Sequence, residues 1–307
     1  MLIGYDLGHY PITYDFVYWL VRAEEARIKA EVESLSLVFQ PGSEDGFRLK
    51  TMRDYQLHED RKQWRLHNLL SPVARLLPSV RTVTVTPVRL DISTPHFDLH
   101  TDIHKTPISP FRASDVARSM VRKMYPKRYV TITLRQSDVQ MGRNSNRVEW
   151  RKVAVWLEKR GLEVVVVPDT EAVLQGIHHN VGDECVAAAM SQDIRLALYE
   201  LSEFSLFTTG GPFALAWYAD VNFAVFKLKN DEQTGEESRL RQIGLEDGAS
   251  RGPYRNAYWC EDTFENIRAR VEPYLQLRSK IAVPDVVSAQ THFRGHLIIE
   301  KNDQGCR

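Results

Sequence analysis

The chain reads as an α/β protein built from two Rossmann-like halves, each a parallel sheet with helices, and three observations predict it. Short apolar runs rich in β-branched residues alternate with segments of helical periodicity along most of the 307 residues. Two of those runs, Tyr129 to Leu134 and Val164 to Val167, are rich in β-branched residues, the first interrupted only by threonines and the second apolar throughout. Strands of that kind are buried on both faces, as in a parallel sheet. A proline-punctuated stretch, Pro95 to Pro110, separates the two halves. The expected division is 1–110 for an N-terminal domain with its hinge, 111–280 for a C-terminal domain, and 281–307 for a tail.

In the first half, Leu2 to Leu7 reads as a buried strand broken by Gly8-His9-Tyr10-Pro11. Phe16, Trp19, Leu20 and Ala23 keep helical spacing within a helix from about Thr13 to Glu31, whose second half is highly charged. Leu35 to Phe39 is the next strand, closed by Pro41-Gly42. Arg53 to Leu70 reads as a polar helix and Thr82 to Val88 as a β-rich run. The connector then carries His96, His100 and His104 four apart, with Asp98 and Asp102 between them. On a helix the three histidines would share one face, on a strand all five polar residues would, and either arrangement could ligate a divalent metal. A polar hinge without metal is the favoured reading.

In the second half, Ser114 to Tyr125 is expected to be helical and Tyr129 to Leu134 a strand. Arg135 to Arg143 follows as a polar loop. Asn146 and Glu149 have the spacing of a capping box opening a helix that buries Trp150, Val153, Ala154 and Leu157 and stops at Gly161. After the strand Val164 to Val167 comes Pro168-Asp169-Thr170-Glu171. A helix is expected over Ala187 to Glu203, with Met190, Ile194, Leu198 and Leu201 inward. Phe204 to Lys227 then reads strand, tight turn, helix, strand. Thr208-Thr209-Gly210-Gly211 makes the turn, and Pro212 suits the first helical position. Asp231 to Arg255 reads as a mobile polar loop. Phe264, Ile267, Val271 and Leu275 mark a last helix, and His296 to Ile299 a last short strand.

Composition narrows the function. Forty Lys+Arg balance forty Asp+Glu, which disfavours a nucleic-acid binder working through a basic surface. Cys185, Cys260 and Cys306 form no CxxC pair, as suits a reducing cytoplasm. No apolar run approaches a membrane span and the N-terminus has no signal-peptide pattern, so a cytoplasmic protein is expected. There is no GxGxxG, GxxxxGK[ST] or GxSxG motif.

Ligands of open α/β sheets bind outside the carboxyl ends of the strands. The residues expected there are Arg135, Arg143, Asn144 and Arg147 after one strand, Asp169 and Glu171 after the next, and Thr209, Gly210, Gly211 and Pro212 after a third. Guanidinium groups match phosphate oxygens bidentately, and two glycines allow a backbone to approach a ligand closely. A helix opening at Pro212 would add its free N–H groups. Together they suggest a diphosphate clamp, with Asp169 or Glu171 receiving sugar or ribose hydroxyls.

LFTTGGPFALAWYADVNFAVF and the preceding VTITLRQ…RNSNRVEWRKVAVWLEKRGLEVVVVPDTE resemble the GT-B type of glycosyltransferase, most closely the heptosyltransferase group, over about residues 128 to 275. Gly210 stands where that family often has an acidic residue, the donor loop is Arg-rich where the family has Lys, and Phe213 replaces the family's His. The resemblance implies two domains facing across a cleft, with a nucleotide-diphosphate sugar as donor substrate on the second half and no cofactor. It implies transfer of a sugar to an acceptor hydroxyl, without an obligatory metal, in polysaccharide or glycoconjugate synthesis. The acceptor is a glycan, lipid-linked or protein, which is compatible with peripheral membrane contact and involves no nucleic acid. The general base would come from the first half, where Asp15 and His9 lead Asp6. A nucleotide-sugar epimerase, or a non-catalytic binding protein on the same fold, is the alternative.

Overall fold

The computed structural model describes residues 1–43, 46–48, 59–138 and 140–280. Its compact units are Met1–Arg268 and Ala269–Arg307, and both sheets lie in the first. In chain order the strands and helices are β1 (Leu2–Asp6), α1 (Asp15–Lys29), β2 (Leu35–Gln40), α2 (Glu59–Arg65), α3 (Ser71–Arg75) and β3 (Val80–Val85). They continue with α4 (Asp115–Met124), β4 (Tyr129–Thr133), α5 (Arg147–Glu158), β5 (Glu163–Val167), α6 (Thr170–Leu174), β6 (Asp183–Glu184) and α7 (Val186–Met190). The remainder are α8 (Gln192–Leu201), β7 (Phe204–Thr208), α9 (Phe213–Trp217), β8 (Phe223–Phe226), α10 (Glu237–Gln242), β9 (Arg255–Ala257) and α11 (Phe264–Lys280). The protein is α/β, and both of its sheets are parallel throughout.

The first sheet has the order β1-β2-β3. Its centre is Tyr5, whose ring packs edge-on against Phe16 and Trp19 of α1 and Phe39 of β2, with centroids 4.7, 5.2 and 5.7 Å away. This is why the spacing of Phe16, Trp19 and Leu20 dictates a helix: that stripe covers the aromatic row of the sheet. The polar helix expected over 53–70 begins, among the described residues, at Glu59; residues 53–58 lie outside them. It passes through a π-helical turn at Leu66–Leu70, which lets Leu66, Leu69 and Leu70 all turn inward, and continues into α3.

The second sheet has the order β6-β5-β4-β7-β8-β9. β4 and β7 are buried at every residue, and their hydroxyls pair inside, Thr131 with Ser205 and Thr133 with Tyr199, each at 2.9 Å. The chain adds β5 and β6 on one side of β4, then returns to add β7, β8 and β9 on the other. The strand order therefore reverses between β4 and β7.

Several expectations are corrected. The helix expected over Ala187–Glu203 is two helices, because Ser191 leaves helical conformation (φ −116°, ψ 119°) and its hydroxyl caps α8 by accepting from the Ile194 N–H. Asn146 does cap α5, but Glu149 does not reach back to complete a capping box. Its carboxylate instead binds Lys152 and the Phe264 N–H, while the Asn146 N–H goes to Asp262. The stretch 231–255 is not one loop, since it contains a 3-10 turn at Gln233–Gly235 and α10. The strand expected at His296–Ile299 lies outside the described residues. Among the described residues no helix is long and apolar enough to cross a membrane.

Candidate active site at the reversal of the second sheet

The carboxyl ends of β4 and β7 diverge into two loops that are stitched together by buried hydrogen bonds. Arg135, just past β4, receives its backbone anchor from Ser145: the Arg135 N–H donates to Ser145 Oγ (2.8 Å), and that hydroxyl donates to Thr208 Oγ1 at the end of β7 (2.8 Å). Trp150 Nε1 donates both to Thr208 Oγ1 and to the buried carboxylate of Asp262 (3.0 and 2.8 Å). Lys227, held at φ +59° just past β8, donates to the Asn144 carbonyl at 3.1 Å and stands 3.7 Å from Asp262. Fully bonded buried networks of this kind hold a loop in one geometry.

On that base the guanidinium of Arg135 is fixed by Asn144 Oδ1 (2.5 Å) and the Gln140 carbonyl (3.1 Å). Gln140, in the left-handed region at φ +52°, also accepts from Arg143 through its side chain (2.6 Å). Burial is the main influence on Arg135 and lowers its pKa, with Asp169 and Glu232 acting against it. Asp169, past β5, caps α6 by accepting from the Glu171 N–H and also accepts from the Gln136 N–H. Burial raises its pKa above the ordinary carboxylate range; those N–H groups, Arg195 and Arg135 oppose the rise.

Arg135, Arg143, Asn144, Asp169 and Gly210 are thus gathered at the strand ends, and Gly210 lies beside the Arg135 side chain. Arg147 opens α5 and is exposed, while Arg135 and Arg143 share Gln140. Glu171 is bound by Arg61 and Arg65 at 2.7 and 2.8 Å. The close approach that Gly211 permits is to a tyrosine: a Cβ there would sit 2.3 Å from Tyr14 Cδ2. Neither Gly210 nor Gly211 has a positive φ. Pro212 occupies the cap position of a helix only five residues long, and the Ala214 and Leu215 N–H groups are spent on Gly211 and Pro212 carbonyls. Thr209 is buried, its N–H bonded to Phe226.

Tyr14 carries the first half of the chain into this site. Its hydroxyl donates to Gln192 Oε1 (2.7 Å) and accepts from Arg195 (2.6 Å). Arg195 is fully buried, and also donates to the Ala188 and Ala189 carbonyls and to Thr170 Oγ1. Neither residue carries a sequence signal, because the contact spans 181 positions. Gly211→Ala is expected to force the Tyr14 ring aside and destabilise the protein by about 1–3 kcal/mol, the usual cost of overpacking. Thermal unfolding measures the loss, and Gly211→Ala combined with Tyr14→Ala should recover part of it.

The three candidate bases sit differently. Asp6 is ion-paired with Arg89 and accepts from the Gly8 N–H at 2.8 Å. Burial pushes its pKa up, but Arg89 and the Gly8 N–H outweigh that and hold it below the ordinary value. His9 packs against the His96 ring at 4.3 Å, and burial followed by His96 lowers its pKa. Asp15 opens α1 beside Tyr14, and among the described residues its carboxylate makes no ion pair or hydrogen bond.

His96, His100 and His104 lie in an irregular segment that ends in a 3-10 turn, and they go separate ways. His100 bonds to Arg239, while His104 is buried among Tyr18, Phe213, Trp217 and Tyr218. Among the described residues no group of three or more His, Cys, Asp or Glu could hold a metal ion. Burial, helped by the charge of Arg251, pushes the His104 pKa down to about 3. The unfolded chain takes up a proton near pH 6.5 that the folded one refuses, so stability is full above that pH and falls as pH drops toward 3. Between pH 7 and pH 4.5 the loss from this residue should be about 2–3 kcal/mol. Urea titrations of His104→Phe over that range should show a shallower acid limb than the parent.

No family model and no curated relative matches the chain. Solved structures do. The chain is similar to solved glycosyltransferases. One is a glycosyl transferase of family 9 from Veillonella parvula, with 11% identity, coverage of 92% of this chain and 90% of that chain, and a TM-score of 0.45. Another is the E. coli heptosyltransferase WaaC with ADP, with 11% identity, 92% and 100% coverage and a TM-score of 0.44. A third is TibC from E. coli, described as an iron-containing dodecameric glycosyltransferase, with 16% identity, 91% and 76% coverage and a TM-score of 0.37.

Proposed function

We propose that the protein is a glycosyltransferase that moves a sugar from a nucleotide-diphosphate sugar to an acceptor hydroxyl, in glycan or glycoconjugate assembly. The observation that carries this reading is the position of Arg135 and Gly210. They flank the point where strand order reverses, between β4 and β7, which is where open α/β sheets bind their ligands. The diphosphate lies there against Arg135 and Arg143, with Asp169 receiving a hydroxyl of the ribose or sugar. As the glycosidic bond breaks, negative charge collects on the leaving diphosphate, and the two guanidiniums stabilise it without a required metal. Asp15, the residue after Tyr14, takes the proton of the attacking acceptor hydroxyl.

The test is calorimetry with ADP, UDP, GDP and CDP, followed by donor turnover with and without a mixed glycan and glycolipid acceptor fraction, each with and without a chelator. The reading requires affinity for at least one diphosphate, turnover that depends on acceptor, and no loss with chelator. No affinity for any of the four overturns it. Donor turnover without acceptor points instead to an epimerase-type enzyme on the same site.

A further inference from the structure

The outer face of α5 carries an open cavity of about 470 Å³ with an apolar lining and a basic border. Its walls and floor are Val148, Val155, Trp156 and Phe264, and its rim is Arg151, Lys152 and Lys159. Val148 and Val155 are 64% and 43% exposed, an unusual placement for two branched apolar side chains two helical turns apart. Trp156 packs edge-on against Phe264 with centroids 6.2 Å apart, and the Arg160 guanidinium lies 4.4 Å from the Trp156 ring centroid. The Trp156 indole N–H is buried and makes no hydrogen bond among the described residues.

Charge is concentrated here as well. The chain as a whole is neutral, yet residues 147–160 hold five basic and two acidic side chains. One of the acids, Glu149, is already taken by Lys152 at 2.6 Å. Lys159 makes no ion pair among the described residues. A helix with an exposed apolar stripe, a tryptophan and a basic border has the composition of an interfacial helix.

We infer that this groove docks the protein on an anionic membrane surface. Acyl-chain hydrocarbon covers Val148, Val155 and Phe264, and Arg151 and Lys159 meet the headgroup charge. An extended acidic peptide fits less well. The α5 backbone is bonded within its own helix, so the groove offers only side chains, and the peptide's amides would stay without partners. Lipid has no such amides to satisfy. The inference does not depend on the enzymatic reading, because the groove lies on the outside of α5, and its residues are not those gathered at the strand ends.

Flotation of the full chain with phosphatidylcholine vesicles, and with vesicles about one-third phosphatidylglycerol, tests it. Binding is expected to the anionic vesicles alone, and most of it should be lost at about 0.5 M salt. Val155→Glu should weaken binding at least about tenfold, since it places a charge in the hydrocarbon layer. Lys159→Glu should weaken it about fivefold or more, the usual effect of losing a basic residue at a charged surface. Lys123→Glu on the exposed face of α4 should leave it within about twofold. Both groove positions are exposed, so circular dichroism and the thermal midpoint should match the parent. No binding to the anionic vesicles overturns the inference, and so does equal binding by the parent, Val155→Glu and Lys159→Glu.

Discussion

Arg135→Ala should weaken binding of the preferred nucleoside diphosphate about 10- to 150-fold, measured by calorimetry. The size follows from what is removed. A charge-assisted contact to an anion contributes about 1.5–3 kcal/mol, and a guanidinium at a diphosphate can make two such contacts. Arg135 is also held in advance: its backbone is fixed through Ser145 to Thr208, and its side chain by Asn144 and Gln140. A residue already ordered loses little freedom on binding, so its full contact energy appears in the affinity. Arg135→Lys keeps the charge but loses the fork and the bond geometry to Asn144, and should fall between parent and Ala. Arg147→Ala, on the exposed side of α5, should change affinity by less than about threefold. Equal affinity in parent and Arg135→Ala would remove the diphosphate from the β4–β7 reversal.

The contrast between Arg135 and Arg147 shows how far residue types alone reach. β5 is legible because burial on both faces leaves an apolar run with no alternation, β4 and β7 because they are rich in β-branched or aromatic residues, and the cap at Asn146 because capping is local. The strand-end position of Arg135 follows directly from the strand before it. The inside or outside position of Arg147 does not, since it depends on which side of α5 packs against the sheet. β6 and β9 are two and three residues long, and they owe their strand character to β5 and β8 beside them. No local pattern could mark them. The glycine pair shows the same limit: a Gly-Gly turn tells that something comes close, and the structure shows that what comes close to Gly211 is Tyr14, nearly two hundred residues earlier in the chain. Asp262 and Lys227 were invisible for the same reason. A buried carboxylate collecting Asn146, Trp150 and Thr208 is assembled from three separate segments, and no single one of them looks unusual.

Asp15→Asn should lower kcat about 10²- to 10⁴-fold, the range over which a positioned general base acts, while leaving nucleoside diphosphate affinity within about twofold. Asp15 is favoured over its neighbours by the bonds they already make. To serve as a base, Asp6 would have to give up the ion pair with Arg89 and the Gly8 N–H, interactions that make its carboxylate a weaker proton acceptor than an ordinary one. Asp6→Asn should therefore act on the fold, lowering the thermal midpoint by leaving Arg89 without its partner, and should change kcat less than Asp15→Asn does. His9 lies against His96 and Tyr10, a stack outside the Tyr14 contact, and His9→Ala should cost less than about tenfold. Asp15 instead begins α1 directly after Tyr14, the residue whose hydroxyl meets Gln192 and Arg195 of the second half of the chain. Among the described residues no ion pair or hydrogen bond occupies its carboxylate. A full-rate Asp15→Asn enzyme would exclude it as the base and shift the search to His9. Loss of diphosphate affinity in the same variant would show Asp15 acting on donor binding, with the proton taken elsewhere.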